Sequence, residues 1–159
     1  MEFTLNSVED TVKLGEKLGN LLNPGDVICL DGDLGTGKTY FTKGIAKGLH
    51  IKEPITSPTF TIVNEYEGRL KLYHFDVYRV NDIEELLSLG FDEYIYSNAV
   101  SIIEWANYIH ELIPDEHIYI YIHKLPGQNL NGRSEEHTSG RKIILEYYGK
   151  RYDYIKELK

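Results

Sequence analysis

A glycine-rich run constrains this chain more than any other part of its sequence. It matches the pattern G-x-x-x-x-G-K-[ST], which is typical of phosphate-binding loops, and it consists of Gly32, Asp33, Leu34, Gly35, Thr36, Gly37, Lys38 and Thr39. Glycines let the backbone bend around phosphate oxygens, and its N–H groups and the start of the next helix supply positive potential. We expect Lys38 to reach the outer phosphates and the Thr39 hydroxyl to contact Mg²⁺.

The flanks of this run distinguish a binding loop from a chance match. Residues 27–30 are an apolar run typical of a buried strand, and residues 38–49 place Phe41, Ile45 and Leu49 on one face of a predicted helix. A strand before the loop and a helix after it are the context that a phosphate-binding loop requires. The alternative, a glycine-rich turn with a surface lysine, leaves both flanks unexplained, so the sequence predicts nucleotide binding.

The other patterns predict a mixed α/β fold. A Ser cap at Ser7 begins a helix that extends to residue 22, and the polar stretch 127–140 is predicted as a loop. Asn81 or Asp82 caps a helix that ends at residue 88. Further strands are predicted over residues 60–65, 70–75, 100–103, 117–123 and 143–148, with a hairpin turn at 67–69 and a terminal helix at 152–159.

The order of these elements indicates the architecture. Strands and helices alternate early in the chain, whereas hairpins dominate later. We therefore predict a single P-loop ATPase domain over residues 1–159, built as a three-layer α/β/α sandwich around a mixed parallel and antiparallel sheet.

Composition argues against several classes of protein. The net charge of −8 disfavours a protein whose main role is to bind bare nucleic acid, because phosphate contacts need clustered Lys and Arg. No apolar run is long enough to span a bilayer, and the first residues lack a signal-peptide pattern. The single cysteine, Cys29, cannot form an internal disulfide. We expect a cytoplasmic protein.

Two carboxylates are candidates for the acidic group that a P-loop enzyme places near Mg²⁺. Glu104 follows the apolar run 100–103, and Asp76 follows the predicted strand 70–75. One is expected to orient Mg²⁺ or its water shell and the other to orient the attacking water, and the sequence leaves this assignment open. The structural alternatives are an N-cap for Asp76 and a strand-end salt bridge for Glu104.

Other polar residues carry weaker predictions. Thr59 and Thr61 lie between the P-loop helix and the next strand, a region that senses the γ-phosphate in many P-loop proteins. Arg79 is expected in a structural ion pair, with stabilisation of the transferring phosphate as the alternative. His74, within a predicted strand, is expected to be a structural histidine.

Four motifs taken together resemble the TsaE family, also called YjeE. They are the P-loop, Ser57-Pro58-Thr59-Phe60, His74-Phe75-Asp76-Val77-Tyr78-Arg79 and Ile103-Glu104-Trp105, in the order and approximate spacing of that family. The set spans nearly the whole chain and is more specific than the P-loop alone. The resemblance implies a small ATPase, using ATP, ADP and Mg²⁺, in the bacterial pathway that makes threonylcarbamoyladenosine in tRNA.

The resemblance also implies partners and residue roles. TsaE is thought to bind the TsaB–TsaD pair and to use ATP to reset it between turnovers, so that tRNA is met through the complex. Catalytic roles are expected for Lys38, Asp76 and Glu104, and metal contacts for Thr39, Glu104 and Asp76. Beyond the P-loop, nucleotide contacts are expected from Tyr40, Trp105, Ser7 and Thr11, of which the last two would approach the adenine. Gly140-Arg141 resembles a further family element without an assigned role.

Three other function classes were compared with this one. A small-molecule kinase needs an acceptor pocket and usually an Arg-rich lid, whereas the polar stretch 127–140 carries only Arg133. A nucleotide-gated interaction module would bind ATP and exchange partners with little hydrolysis. Both remain alternatives, whereas a GTPase is disfavoured because the chain has no Asn-Lys-x-Asp sequence to read guanine.

Overall fold

A single mixed sheet organises the computed structural model, which describes residues 1–33, 35–58, 60–126 and 140–158. The elements in chain order are β1 (Glu2–Leu5), α1 (Val8–Leu21), β2 (Val27–Gly32), α2 (Lys38–Gly48), β3 (Val63–Tyr66), β4 (Leu72–Asp76), α3 (Ile83–Ser88), α4 (Phe91–Ile95), β5 (Val100–Glu104), a first 3₁₀ helix (Ala106–Leu112), β6 (His117–Lys124), β7 (Arg141–Tyr148) and a second 3₁₀ helix (Lys150–Glu157).

The strand order places the P-loop at the middle of the sheet. The order is β1-β7-β6-β2-β5-β4-β3. The four inner strands β6, β2, β5 and β4 are mutually parallel, whereas the pairs β1–β7, β6–β7 and β3–β4 are antiparallel. The carboxyl ends of the parallel strands therefore share one edge, which is where ligands bind in open α/β sheets.

Helices cover both faces of the sheet. Along β2, Ile28 and Leu30 belong to the apolar core that contains α1 and α2, whereas Val27 and Cys29 belong to the core that contains α3, α4 and the first 3₁₀ helix. This alternation is the two-residue period of a strand buried on both faces. The predicted three-layer α/β fold with a mixed sheet is confirmed.

Glycines bring α1 unusually close to α2. Gly15 and Gly19 of α1 face Gly44 and Gly48 of α2, and a Cβ atom on Gly15 would lie 2.5 Å from the carbonyl oxygen of Phe41. No side chain fits at such a separation, so the four glycines set the distance between the helices. Close packing keeps the N-terminus of α1 beside the start of α2.

The hairpin turn predicted at residues 67–69 is confirmed, and it also holds these two helices. β3 and β4 pair antiparallel on either side of it. The Arg69 guanidinium donates to the carbonyl oxygens of Gly19 (2.5 Å) and Leu22 (3.1 Å) at the end of α1, and to that of Gly48 (3.4 Å) at the end of α2. A cation at the carboxyl ends of both helices also complements their dipoles.

Some predicted boundaries are wrong. The strand expected from residue 60 begins only at Val63, because Ile62 has a φ of 66° and breaks the extended backbone. The terminal segment is a 3₁₀ helix over Lys150–Glu157 rather than a helix over 152–159. β1, α4 and the first 3₁₀ helix were not predicted, since elements of four to seven residues show too few turns or alternations to be recognised.

The predicted loop at 127–140 and the predicted lack of a membrane span can be compared with the structure only over the described residues. Of the predicted loop 127–140, residues 127–139 including Arg133 lie outside them, while Gly140 accepts a hydrogen bond from the Leu125 N–H at 3.1 Å. Within the described ranges, no helix combines the length and the apolar character needed to cross a bilayer.

Candidate nucleotide-binding site

The loop between β2 and α2 has a backbone that its glycines permit. Gly32, Gly35 and Gly37 have φ angles of 150°, 75° and 103°, which side chains of L-residues rarely allow. A Cβ atom added to Gly35 would meet no atom within 4 Å, so there is open space beside the loop at Gly35. The Thr36 hydroxyl donates to the carbonyl oxygen of Asp33 at 2.8 Å and closes the turn. Leu34, a predicted contact, lies outside the described residues.

The Lys38 side chain folds back into this loop. Its Nζ atom donates to the carbonyl oxygens of Gly32 (2.5 Å) and Asp33 (2.9 Å) and lies 4.1 Å from the centre of the Trp105 ring. Burial lowers the pKa of Lys38, and the nearby carboxylates, Glu104 first among them, oppose that shift. The ammonium is therefore held next to the open side of the loop by interactions that a phosphate could replace.

The start of α2 forms one wall of a cleft of about 280 Å³. Its first residues, Lys38, Thr39 and Tyr40, line this cleft. The first N–H groups of a helix have no acceptor within the helix, and the helix dipole favours a negative charge at that end. Together with the loop, this end of α2 has the chemistry of a phosphate site.

The start of α1 also lines this cleft, beside the start of α2. Val8 and Thr11 line the cleft, and Thr11 is 2 % exposed. Ser7, which was predicted to approach the adenine, does not line it; its hydroxyl instead accepts from the Asp10 N–H at 3.1 Å and caps α1. The predicted Ser cap is thus confirmed. Ser57 lines the cleft as well.

Asp76 and Glu104 lie side by side at the carboxyl ends of β4 and β5, where the two residues pair in register. Both line the cleft. Glu104 is 3 % exposed, and its Oε1 atom has no hydrogen-bond partner among the described residues. Its Oε2 atom lies 3.5 Å from Nε2 of His74, which is fully buried. A buried carboxylate oxygen that protein groups leave unpaired is suited to a hard cation or its water shell.

Asp76 combines a structural contact with a position at the cleft. One of its oxygens, Oδ1, accepts from the Tyr78 N–H at 3.0 Å, which is a local turn contact. The alternative of a helix N-cap is wrong, because the next helix, α3, is capped by Asp82. Burial raises the pKa of Asp76, the charge of Glu104 raises it further, and the Tyr78 hydrogen bond lowers it. Two adjacent carboxylates oppose each other's ionisation, so a cation between them would be favoured.

The backbone turns sharply just after Glu104. Trp105 has a φ of 63°, in the left-handed region, which costs a residue with a side chain about 1–2 kcal/mol. Its N–H donates to the carbonyl oxygen of Leu30 at 3.2 Å, and its ring stacks on Tyr108 at 5.8 Å. Backbone strain of this kind persists only where the surroundings enforce it, and it is concentrated at functional sites.

Arg141 supports the P-loop from the start of β7. Its Nε atom donates to the carbonyl oxygen of Thr36 at 2.7 Å, and its Nη2 atom lies 3.5 Å from that of Gly35. The Gly140-Arg141 pair was noticed in the sequence, but no local pattern could link it to a loop 105 residues earlier. Sequence reasoning likewise gave no role in the site to Val8 or to His74.

The remaining predictions have mixed outcomes. The ion pair expected for Arg79 is not found within the described part of the chain, and its guanidinium lies over the Phe60 ring, 5.4 Å from the ring centre. Thr61 donates to Oδ1 of Asn64 at 2.8 Å, a local contact. Thr59 lies outside the described residues. His74 is a buried strand residue, as predicted, although its neighbour is the Glu104 carboxylate.

Comparison with known protein families matches residues 5–133 to "Threonylcarbamoyl adenosine biosynthesis protein TsaE". The chain belongs to the TsaE family. The matched range contains the P-loop, Asp76 and Glu104, so the resemblance inferred from the motifs is confirmed.

Relatives within the TsaE family match most of the chain. The protein from Bacillus subtilis strain 168 is 43% identical over 150 residues, which cover 94% of this chain and 87% of the relative. The protein from Treponema pallidum strain Nichols is 42% identical over 81% of this chain and 96% of its own length. Both are named tRNA threonylcarbamoyladenosine biosynthesis protein TsaE.

A solved structure supports the same fold. The crystal structure of Bacillus subtilis YdiB superposes with a TM-score of 0.81 and 37% sequence identity, covering 99% of this chain and 93% of that one. The similarity therefore extends over nearly the whole fold described above.

Proposed function

We propose that this protein is an ATP-binding and Mg²⁺-dependent ATP-hydrolysing component of tRNA threonylcarbamoyladenosine formation, acting with the TsaB–TsaD pair. The observation that carries the proposal is the Glu104 carboxylate. It is buried at the same cleft as the P-loop, and its Oε1 atom lacks a hydrogen bond from any described residue. Such a group costs free energy unless a ligand satisfies it.

The residues of the cleft fit Mg·ATP. The open side of Gly35 and the N–H groups at the start of α2 would hold phosphate oxygens, and Lys38 would exchange its two carbonyl contacts for them. Thr39, Glu104 and Asp76 would hold the metal or its water shell. Bound Mg²⁺ supplies charge neutralisation on the phosphates. Val8 and Thr11 would border the base and sugar.

The two carboxylates can divide the remaining work. Glu104 is almost fully buried and Asp76 is partly exposed, so Glu104 would serve mainly the metal while Asp76 orients water that enters from the cleft. The positions of the Asp76 and Glu104 carboxylates depend on the pairing of β4 with β5, and paired strands are more rigid than a loop.

The partners and the location belong to the same proposal. Relatives in the TsaE family are named for tRNA threonylcarbamoyladenosine biosynthesis. A net charge of −8 favours meeting tRNA through partner proteins rather than directly. We take residues 1–159 as one ATPase domain acting in the cytoplasm, where the single buried cysteine would stay reduced.

Phosphate release from Mg·ATP, measured with and without purified TsaB–TsaD, tests this function. Hydrolysis that is slow alone and at least tenfold faster with the pair supports the proposal. Transfer of phosphate to a metabolite would support the kinase alternative instead. Nucleotide-dependent binding to the pair without turnover would indicate an interaction module. Lys38→Ala is the control, because a variant that calorimetry shows not to bind Mg·ATP should release no phosphate, and release that persists in it comes from a contaminating enzyme.

A further inference from the structure

Asp31 is a buried carboxylate that the proposed chemistry does not use. It lies in β2 immediately before the P-loop and is only 2 % exposed. By strand alternation its side chain is on the face of Cys29, opposite to Leu30 and α2. It therefore faces the first 3₁₀ helix and not the nucleotide cleft.

The partners of Asp31 are backbone groups that follow Glu104 and Trp105. The Asn107 N–H points at Oδ1 of Asp31 at 3.5 Å. Burial raises the pKa of Asp31, whereas hydrogen bonds from the Tyr119 hydroxyl and from the N–H groups of Asn107 and Ala106 lower it. Oδ1 of the carboxylate thus lies within reach of an N–H group that the helix leaves without an acceptor in its first turn, while Oδ2 has no hydrogen-bond partner among the described residues.

The contact between Asp31 and the Asn107 N–H restrains the turn at Trp105, which borders the nucleotide cleft. The neighbouring residue Leu30 accepts the Trp105 N–H at 3.2 Å, so two consecutive residues of β2 hold the turn that contains Trp105. Trp105 is in a left-handed conformation that needs such restraint. Its ring lies 4.1 Å from Nζ of Lys38, and Glu104 precedes it directly.

We propose that Asp31 is a positioning residue, whose carboxylate caps the first 3₁₀ helix and thereby holds Trp105 over Lys38 and Glu104 at the cleft. It acts through these residues and does not touch the nucleotide. Its effect on turnover rests on the proposed ATPase function, whereas its effect on Trp105 does not.

The single tryptophan gives a direct reading of this role. In nucleotide-free protein, we expect Asp31→Ala to raise the acrylamide quenching constant of Trp105 at least twofold. In the same variant, kcat with TsaB–TsaD should fall at least tenfold, while the dissociation constant of Mg·ADP changes less than threefold. Asp31→Asn keeps an oxygen acceptor for the Asn107 N–H and should restore both quenching and kcat to within threefold of the wild type.

Asp26→Ala is the matched control, because Asp26 is a buried aspartate next to the other end of the same strand. It should lower stability without changing the quenching of Trp105. Unchanged quenching in folded Asp31→Ala would overturn the proposal, as would an Asp31→Asn variant as impaired as Asp31→Ala. If the wild type hydrolyses no ATP, the proposed function fails, and the quenching results still decide the role of Asp31.

Discussion

Two buried carboxylates at opposite ends of the parallel strands differ in how they are paired. Asp26, beside the amino end of β2, is 0 % exposed and accepts from the Asn23 N–H (2.8 Å), the Arg151 guanidinium (2.9 Å) and the Tyr154 hydroxyl. Glu104, at the carboxyl end of β5, is 3 % exposed, and within the described residues its Oε1 atom accepts nothing.

This difference separates a structural role from a binding role. The partners of Asp26 fasten the second 3₁₀ helix to the sheet, so its charge is compensated by the protein itself. The charge of Glu104 is compensated less completely, beside a cleft that also holds Lys38. A protein keeps an unsatisfied group where a ligand can satisfy it, and loses stability by doing so.

The largest effect is expected from Lys38→Ala, which removes the ammonium group from the nucleotide cleft at the carboxyl ends of the parallel strands. Two charge-assisted hydrogen bonds to phosphate would be lost, so the dissociation constant of Mg·ATP should rise about 1,000-fold. Titration calorimetry measures it. Lys43→Ala, on an exposed face of α2, should leave the constant within twofold. Equal affinity in wild type and Lys38→Ala would show that the loop is not the phosphate site.

Asp26→Ala tests the structural role of the paired carboxylate beside the amino end of β2. It leaves the partly exposed Arg151 and the Tyr154 hydroxyl without their shared acceptor, so the free energy of unfolding should fall by about 3 kcal/mol. Urea denaturation measures this. The affinity of the folded variant for Mg·ADP should be unchanged. A tenfold loss of affinity would mean that the Asp26 contacts and the nucleotide cleft are coupled.

Glu104→Ala should spare stability and remove chemistry. We expect turnover to fall about 100-fold through lost control of metal or water, with the dissociation constant of Mg·ATP within threefold and the urea midpoint nearly unchanged. Phosphate release under single-turnover conditions measures the chemical step. Normal turnover in this variant would exclude Glu104 from the reaction.

Tyr154→Phe gives the smallest effect and sharpens the contrast. It removes one of the hydrogen bonds to Asp26 and should lower the free energy of unfolding by about 1 kcal/mol. The matched variant is Tyr148→Phe, because the Tyr148 hydroxyl donates to the exposed Glu146 carboxylate at 2.8 Å. This substitution should change the free energy of unfolding by less than about 0.5 kcal/mol. Equal effects of the two substitutions would argue that pairing at Asp26 does not add to stability.

Local signals account for what the sequence predicted well. The strand, loop and helix around Lys38 are contiguous, and Glu104 follows an apolar run, so short windows sufficed to place them. The pairing of Asp76 with Glu104 was not predicted, and the structure shows it at the carboxyl ends of the parallel strands β4 and β5.

Contacts between distant parts of the chain account for what was missed. Arg151 reaches Asp26 across 125 residues, and Arg141 reaches Thr36 across 105. The four residues of β1 acquire their strand character only by pairing with β7. The contact between Asp31 and Asn107 needs the sheet to be assembled first, so no window of sequence contains it.

Calorimetric titration of the folded protein with Mg·ADP and with Mg·ATP tests the central claim most directly. The account predicts saturable binding of one nucleotide per chain, which is lost when EDTA removes the metal or when Lys38 is replaced. Absence of any heat of binding for both nucleotides over several temperatures, in protein whose circular dichroism shows the α/β fold, would contradict it.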